Sequence, residues 1–138
     1  MKVDCVFCQL TNKEIESHIV FEDENVCCFL DYHPINIGHI LIVPKKHYLD
    51  LIEIDEETCN SVMRASKFLS MAVTEVFKPD GISIMQNGGV FNDVGHYHMH
   101  VFPRYKDDGF GWTYPNLSNK ENPSLNEVRE RIIKAMSF

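Results

Sequence analysis

The chain has 138 residues, with 13 basic and 20 acidic side chains and a formal net charge of -7. That length suits one compact α+β unit able to bury a core without disulfides. No basic run exceeds Lys45-Lys46, so a nucleic-acid polymer is not the expected partner. The apolar runs are far shorter than the roughly 20 residues of a membrane helix, and residues 1–5 lack a secretory apolar core. No membrane association and a cytoplasmic location are expected.

In chain order, Val6 to Leu10 is a short apolar segment that reads as one or two helical turns stopping near Thr11-Asn12. Ile19 to Phe21 and Val26 to Leu30 are rich in β-branched and aromatic residues around Asp23-Glu24-Asn25, the pattern of a β-hairpin. Asp31 to Gly38 is a loop by its Pro, Asn and Gly content. His39 to Val43 reads as a central strand buried on both faces, closed by Pro44. Asp55 is placed as an N-cap, with Glu56 and Glu57 at the positive end of the helix dipole. Val62, Ala65, Leu69, Ala72, Val73 and Val76 then recur at helical spacing to Phe77, before Pro79-Asp80-Gly81. Ile82 to Gln86 alternates as a strand, Asn87 to Gly95 is a glycine-containing loop, and His96 to Phe102 is the next strand. Ser124 and Glu127 have capping-box spacing and open a last helix with Val128, Ile132 and Ala135 on one face. The order helix, hairpin, strand, long helix, two strands, helix suggests an α+β domain spanning 1–138.

Five cysteines in a reducing compartment do not suggest a disulfide framework. Cys27 and Cys28 are adjacent on a strand, point to opposite faces and read as small apolar fillers. Cys5-x-x-Cys8 by itself fits a redox pair, a metal site or packing. His96, His98 and His100 alternate, so they share one face of their strand. Three imidazoles bury poorly as filler, since each ring N–H needs a partner. Two chemistries fit: a central histidine attacks phosphorus while its neighbours set its tautomer, or the row ligates a catalytic metal. The Asn87 to Gly95 loop could present backbone N–H groups as an anion nest beside the strand.

His96-Tyr97-His98-Met99-His100-Val101-Phe102 resembles the His-φ-His-φ-His-φ-φ signature of the histidine triad (HIT) superfamily. Asp31 and Gly38 to His47 are similar to that family's central strand and flank, and Cys5-Val6-Phe7-Cys8 to the opening of many bacterial members. The match runs from Cys5 to Arg104 and weakens over the extension 105–138. The resemblance implies a HIT-like fold, mainly antiparallel, forming a homodimer, and a hydrolase or transferase acting at the α-phosphate of a small purine nucleotide. It implies that His98 is the nucleophile, supported by His96, His100 and His39. Asp31 would bind the ribose hydroxyls, Phe29 and Tyr32 would line the base pocket, and Asn87 would hold phosphate or leaving group. It further implies structural zinc on Cys5, Cys8, His47 and His96.

One position departs from the pattern: Asn92-Asp93 stands where many members have Gln-Ser or Gln-Thr. An ionised Asp93 accepts hydrogen bonds but cannot donate them, and it repels a phosphate. The leaving group is therefore open among phosphoramidates, dinucleoside polyphosphates and adenylylated conjugates. A catalytically weak nucleotide-binding sensor or scaffold is the competing reading. The aromatic stretch Tyr105 to Tyr114 is either ordinary packing or a pocket cover, while His18 and His33 are expected at the surface.

Overall fold

A computed structural model describes residues 4–136. The elements follow the expected order: α1 (Val6–Thr11), β1 (Ile19–Glu22), β2 (Val26–Leu30), β3 (Ile40–Pro44), α2 (Glu56–Phe77), β4 (Gly81–Met85), β5 (Met99–Arg104) and α3 (Leu125–Ala135). The five strands form one antiparallel sheet in the order β1-β2-β3-β5-β4, with the continuous apolar run Ile40–Pro44 at its centre and buried throughout. An α+β class follows from this segregation of helices from antiparallel strands.

Each face of the sheet carries its own core. On one, Val62, Ala65, Leu69 and Val73 of α2 pack against Val26, Cys28, Ile40, Ile42, Met99 and Val101. On the other, Phe7, Cys8 and Leu10 of α1 pack against Cys27, Phe29, Leu41 and Val43. Cys27 and Cys28 fall in different cores, as period-two alternation requires, and both are fully buried. Asp55 caps α2 by accepting from the Thr58 amide at 2.8 Å, and Lys78 ends the helix in the left-handed region. The buried face of α2 includes Thr58, Ser61 and Ser66, whereas Ala72 and Val76, expected inside, face solvent. The loop before β3 comes so close to α2 that a Cβ at Gly38 would stand 2.4 Å from the Phe77 ring.

The histidine segment corrects the sequence expectation. The ladder begins at Met99, not His96, because continuing the β3–β5 register beyond Ile42↔Met99 would set residue 97 against Pro44. Proline has no N–H to give the ladder. The chain peels away there, and the Tyr97 amide donates instead to the Tyr48 carbonyl at 2.7 Å. β5 compensates by running on to Arg104, paired with β4 from His100 to Arg104.

Beyond β5, Arg104 makes a two-point ion pair with Asp108 (2.7 and 3.0 Å) that fastens the turn, and Phe110 packs edge-on against Phe102. Of the expected aromatic stretch, Phe110 is thus packing, while Trp112 and Tyr114 are almost fully exposed. α3 forms with its Ser124–Glu127 capping box, but none of its residues is buried in the protomer. Among the described residues, no helix is long and apolar enough to cross a membrane.

Candidate functional site

Leu41 lies directly across from His100, so His100 shares the α1 face of the sheet. The Phe7 ring from α1 stands edge-on to both His98 (5.0 Å between centroids) and His96 (6.0 Å), which puts both imidazoles on that face too. His98 and His100 rings are 4.9 Å apart, and His39, at the entrance to β3, lies 5.1 Å from His100. The three triad histidines therefore gather on one side, as the alternation predicts, and His39 joins them there. Phe7 is a site residue that the sequence reading missed. Its only signal was its place between Cys5 and Cys8 beside the sheet.

Backbone groups assign a proton to each ring. His98 Nδ1 faces the His96 carbonyl at 2.8 Å, so it carries the hydrogen and Nε2 is the atom left to hold the lone pair in the neutral tautomer. His39 Nδ1 accepts from the Ile35 amide at 3.0 Å, which leaves its hydrogen on Nε2, 2.9 Å from His100 Nδ1. His100 then accepts at Nδ1 and keeps its own hydrogen on Nε2. Asp31 Oδ2 is 3.6 Å from His39 Nε2, farther than His100, while Asp31 Oδ1 accepts from the His33 amide at 2.9 Å. Burial lowers the His39 pKa, and it lowers that of His100 to about 4 with help from neighbouring His98 and His39. Both rings are neutral at neutral pH, so the His39–Asp31 approach is not an ion pair.

A different arrangement occupies the other end of the row. His96 Nε2 donates to the Pro44 carbonyl at 2.8 Å, which turns the Nδ1 lone pair toward Cys5 Sγ (3.4 Å) and Cys8 Sγ (3.6 Å). His47 Nδ1 lies 3.3 Å from Cys8 Sγ, and all four ligand atoms fall within 4.8 Å of one another. Tetrahedral ligands held about 2.0–2.3 Å from one zinc ion stand about 3.5 Å apart, so this buried two-thiol, two-imidazole set fits such an ion. Asp31, His39 and His100 form a second group of comparable compactness. There a hydrogen already occupies the shared space between His39 and His100, which is a relay and not a ligand set.

The remaining expected residues separate. Asp93 reaches the centre, with Oδ1 3.4 Å from His98 Nε2, although its side chain is 82% exposed. Asn87 is exposed at the end of β4. Phe29 is buried edge-on against Phe7, while Tyr32 lies in the open loop with its ring against His18. His18 and His33 are exposed. The anion nest is not formed by the loop amides as expected, because many of them are already engaged. Gly89 donates to Asp50, Phe91 and Asn92 to turn carbonyls, and Val94 and Gly95 to Asn92 Oδ1. Asp50 sits so near this turn that a Cβ at Gly88 would meet its carboxylate at 2.7 Å, a pairing of distant segments that no local pattern announces.

Similarity to known proteins agrees with this geometry. A HIT family protein from Bacillus subtilis has a solved structure that superposes with a TM-score of 0.87 at 32% identity, covering 98% of this chain and 99% of that one. A zinc-bound histidine triad family protein from Mycobacterium smegmatis superposes with a TM-score of 0.72 at 32% identity, covering 96% and 91%. Adenosine 5'-monophosphoramidase hnt1 of Schizosaccharomyces pombe is 28% identical over 137 residues, 96% of this chain and all of that protein. The family model for the HIT domain matches residues 12–107, which contain the whole proton-ordered histidine row, and with that match the chain belongs to the HIT family.

Proposed function

We propose that this protein is a nucleotide hydrolase that cleaves a bond to the α-phosphate of a purine nucleotide through a nucleotidyl-His98 intermediate. The observation that carries the reading is the 2.8 Å hydrogen bond from His98 Nδ1 to the His96 carbonyl, which presents the Nε2 lone pair as an attacking atom. Nε2 forms the bond to phosphorus as the leaving group departs with its electron pair. The His100 Nε2 hydrogen, held outward by the His39 relay, stabilises charge on a non-bridging oxygen. Water then attacks phosphorus and releases the nucleoside monophosphate. Asp31 accepts from the ribose hydroxyls, Tyr32 borders the base over the Phe29 and Phe7 floor, and Asn87 and Asp93 stand on the phosphate side. The named activity of the fission-yeast relative supports nucleotide hydrolysis in general.

Zinc on Cys5, Cys8, His47 and His96 is part of the proposal, supported by the donor set and by the zinc-bound relative. A closed site of this kind is structural. It would tie α1 to the strand entrance and hold the carbonyl of His96 that orients His98. We also propose a homodimer, supported by the open edge of β4 with exposed Ile84 and by the unburied apolar side chains of 111–136. Sedimentation should give twice the 16.0 kDa protomer mass.

Turnover of a fluorogenic adenosine phosphoramidate tests the mechanism. His98→Ala should lose at least about 1000-fold in kcat. Rapid quenching at neutral pH should trap the nucleotidyl group on the peptide containing His98. Turnover surviving in His98→Ala, or label on another side chain, would overturn the reading. Nucleotide binding without turnover in the wild type would favour the sensor alternative.

A further inference from the structure

We infer that Asp93 selects the leaving group, favouring nucleotides whose α-phosphate is bonded to an amine over those whose leaving group is a phosphate chain. The inference rests on the hydrolase reading above and adds a substrate class to it. His98 is only 5% exposed in its side chain, while the Asp93 carboxylate 3.4 Å from its Nε2 is 82% exposed. The carboxylate thus stands on the solvent side of the attacking nitrogen, in the place an arriving phosphate must take.

The backbone around Asp93 cannot retreat freely. Asn92 donates from its side-chain amide to the Leu49 carbonyl at 3.1 Å, and its Oδ1 accepts from the amides of Val94 and Gly95 at 3.2 Å each. Asp50 accepts from the Gly89 amide at 2.8 Å and anchors the start of the same loop. Those ties leave the Asp93 side chain as the group that yields to an entering phosphate while staying near the departing group. Among the described residues, no lysine or arginine makes an ion pair with Asp93, whose recorded partner is His98. Lys45 pairs with Glu22, Lys46 lies over the Tyr48 ring, and Arg104 is held by Asp108.

Charge then separates the two classes. In a phosphoramidate whose bridging nitrogen has taken a proton from solvent, the His98 lone pair forms the new N–P bond. The old P–N bond breaks with its pair going to the leaving nitrogen, which departs as a neutral amine. Throughout, its N–H groups can donate to Asp93. When the leaving group is a phosphate chain, the P–O pair goes to oxygen, and negative charge grows beside the negative, largely exposed Asp93 carboxylate. Like charges a few ångströms apart oppose each other strongly enough to change rates by about tenfold or more.

The test compares kcat/KM for two substrates with the same adenosine α-phosphate, an alkylamine phosphoramidate and diadenosine tetraphosphate. Wild type, Asp93→Asn and Asp93→Ser are measured at low and high salt. The wild type should prefer the phosphoramidate, and both variants should shift the ratio about tenfold or more toward the polyphosphate. Added salt should compress the ratio in the wild type more than in the variants. A ratio that moves less than about twofold in both variants, or a wild type that prefers the polyphosphate, would overturn the inference while leaving His98 as nucleophile. Turnover persisting in His98→Ala would overturn the hydrolase reading, and this inference with it. Asn keeps the size and much of the hydrogen bonding of Asp, so a folding defect confined to Asp93→Ser would leave the comparison intact.

Discussion

The group Cys5, Cys8, His47 and His96 and the group Asp31, His39 and His100 each join two imidazoles to acidic side chains, two thiols in the first and one carboxylate in the second, and each has its ligand-type atoms within 4.8 Å of one another. In the first, the Pro44 carbonyl takes the His96 hydrogen and turns a lone pair inward, so that lone pairs and thiols converge. In the second, the Ile35 amide takes the His39 lone pair at Nδ1 and sends a hydrogen inward to His100. A backbone carbonyl and a backbone amide, each placed by the chain next to a ring, thus turn a lone pair inward in one group and a hydrogen inward in the other. Compactness does not separate the two; the direction of the outer hydrogen bond does, along with the two thiols of the first group.

The sharpest way to break this contrast is a reciprocal pair of variants. Cys8→Ala should abolish stoichiometric metal by elemental analysis and lower the melting temperature by about 10 °C or more, since binding to such a site is coupled to folding. His39→Ala should keep full metal content and instead lose about 100-fold in kcat, through loss of the relay that orients His100. If His39→Ala lost the metal, or Cys8→Ala kept it, the two groups would not be functionally distinct.

A smaller effect comes from pH. His100 titrates near 6.5 when unfolded and is lowered to about 4 in the fold, first by burial and then by His98 and His39. Above pH 6.5 both states are neutral and its contribution to stability is fully present. As pH falls from 6.5 toward 4, the unfolded chain binds a proton that the folded ring refuses, and stability declines. Urea midpoints across that window should fall for the wild type and fall less steeply for His100→Asn. Equal slopes would remove His100 from the effect.

Much of the architecture was legible because it rests on local rules. Asp55 and Ser124 announce their helices by capping, the β-branched hairpin and the continuous run Ile40 to Pro44 declare strands, and Cys27-Cys28 divide between two cores by simple alternation. The details that differ have both local and distant causes. Ala72 and Val76 are apolar at helical spacing, yet they lie on the side of α2 that the sheet does not cover. The loop amides were read as open to an anion, but Asn92 and Asp50 had already engaged them. Tyr97 left the ladder because Pro44, more than fifty residues earlier, had nothing to donate.

The chain's own order of residues determined the element order and the sidedness of the histidine row, which follow from the periods of helix and strand and are properties of neighbouring residues. The partnering of the Cys-x-x-Cys opening with His47 and His96 came from the family resemblance, since the spacing by itself left a redox pair, a metal site and packing open. Only the tertiary structure decided which way each ring turns, that Phe7 stands edge-on to His98, and that Asp93 comes to 3.4 Å from it. The orienting group can be close in sequence, as the His96 carbonyl is to His98 and the Ile35 amide to His39, or distant, as the Pro44 carbonyl is to His96, and in either case the backbone path that aims it at a ring has no signature in the residue pattern.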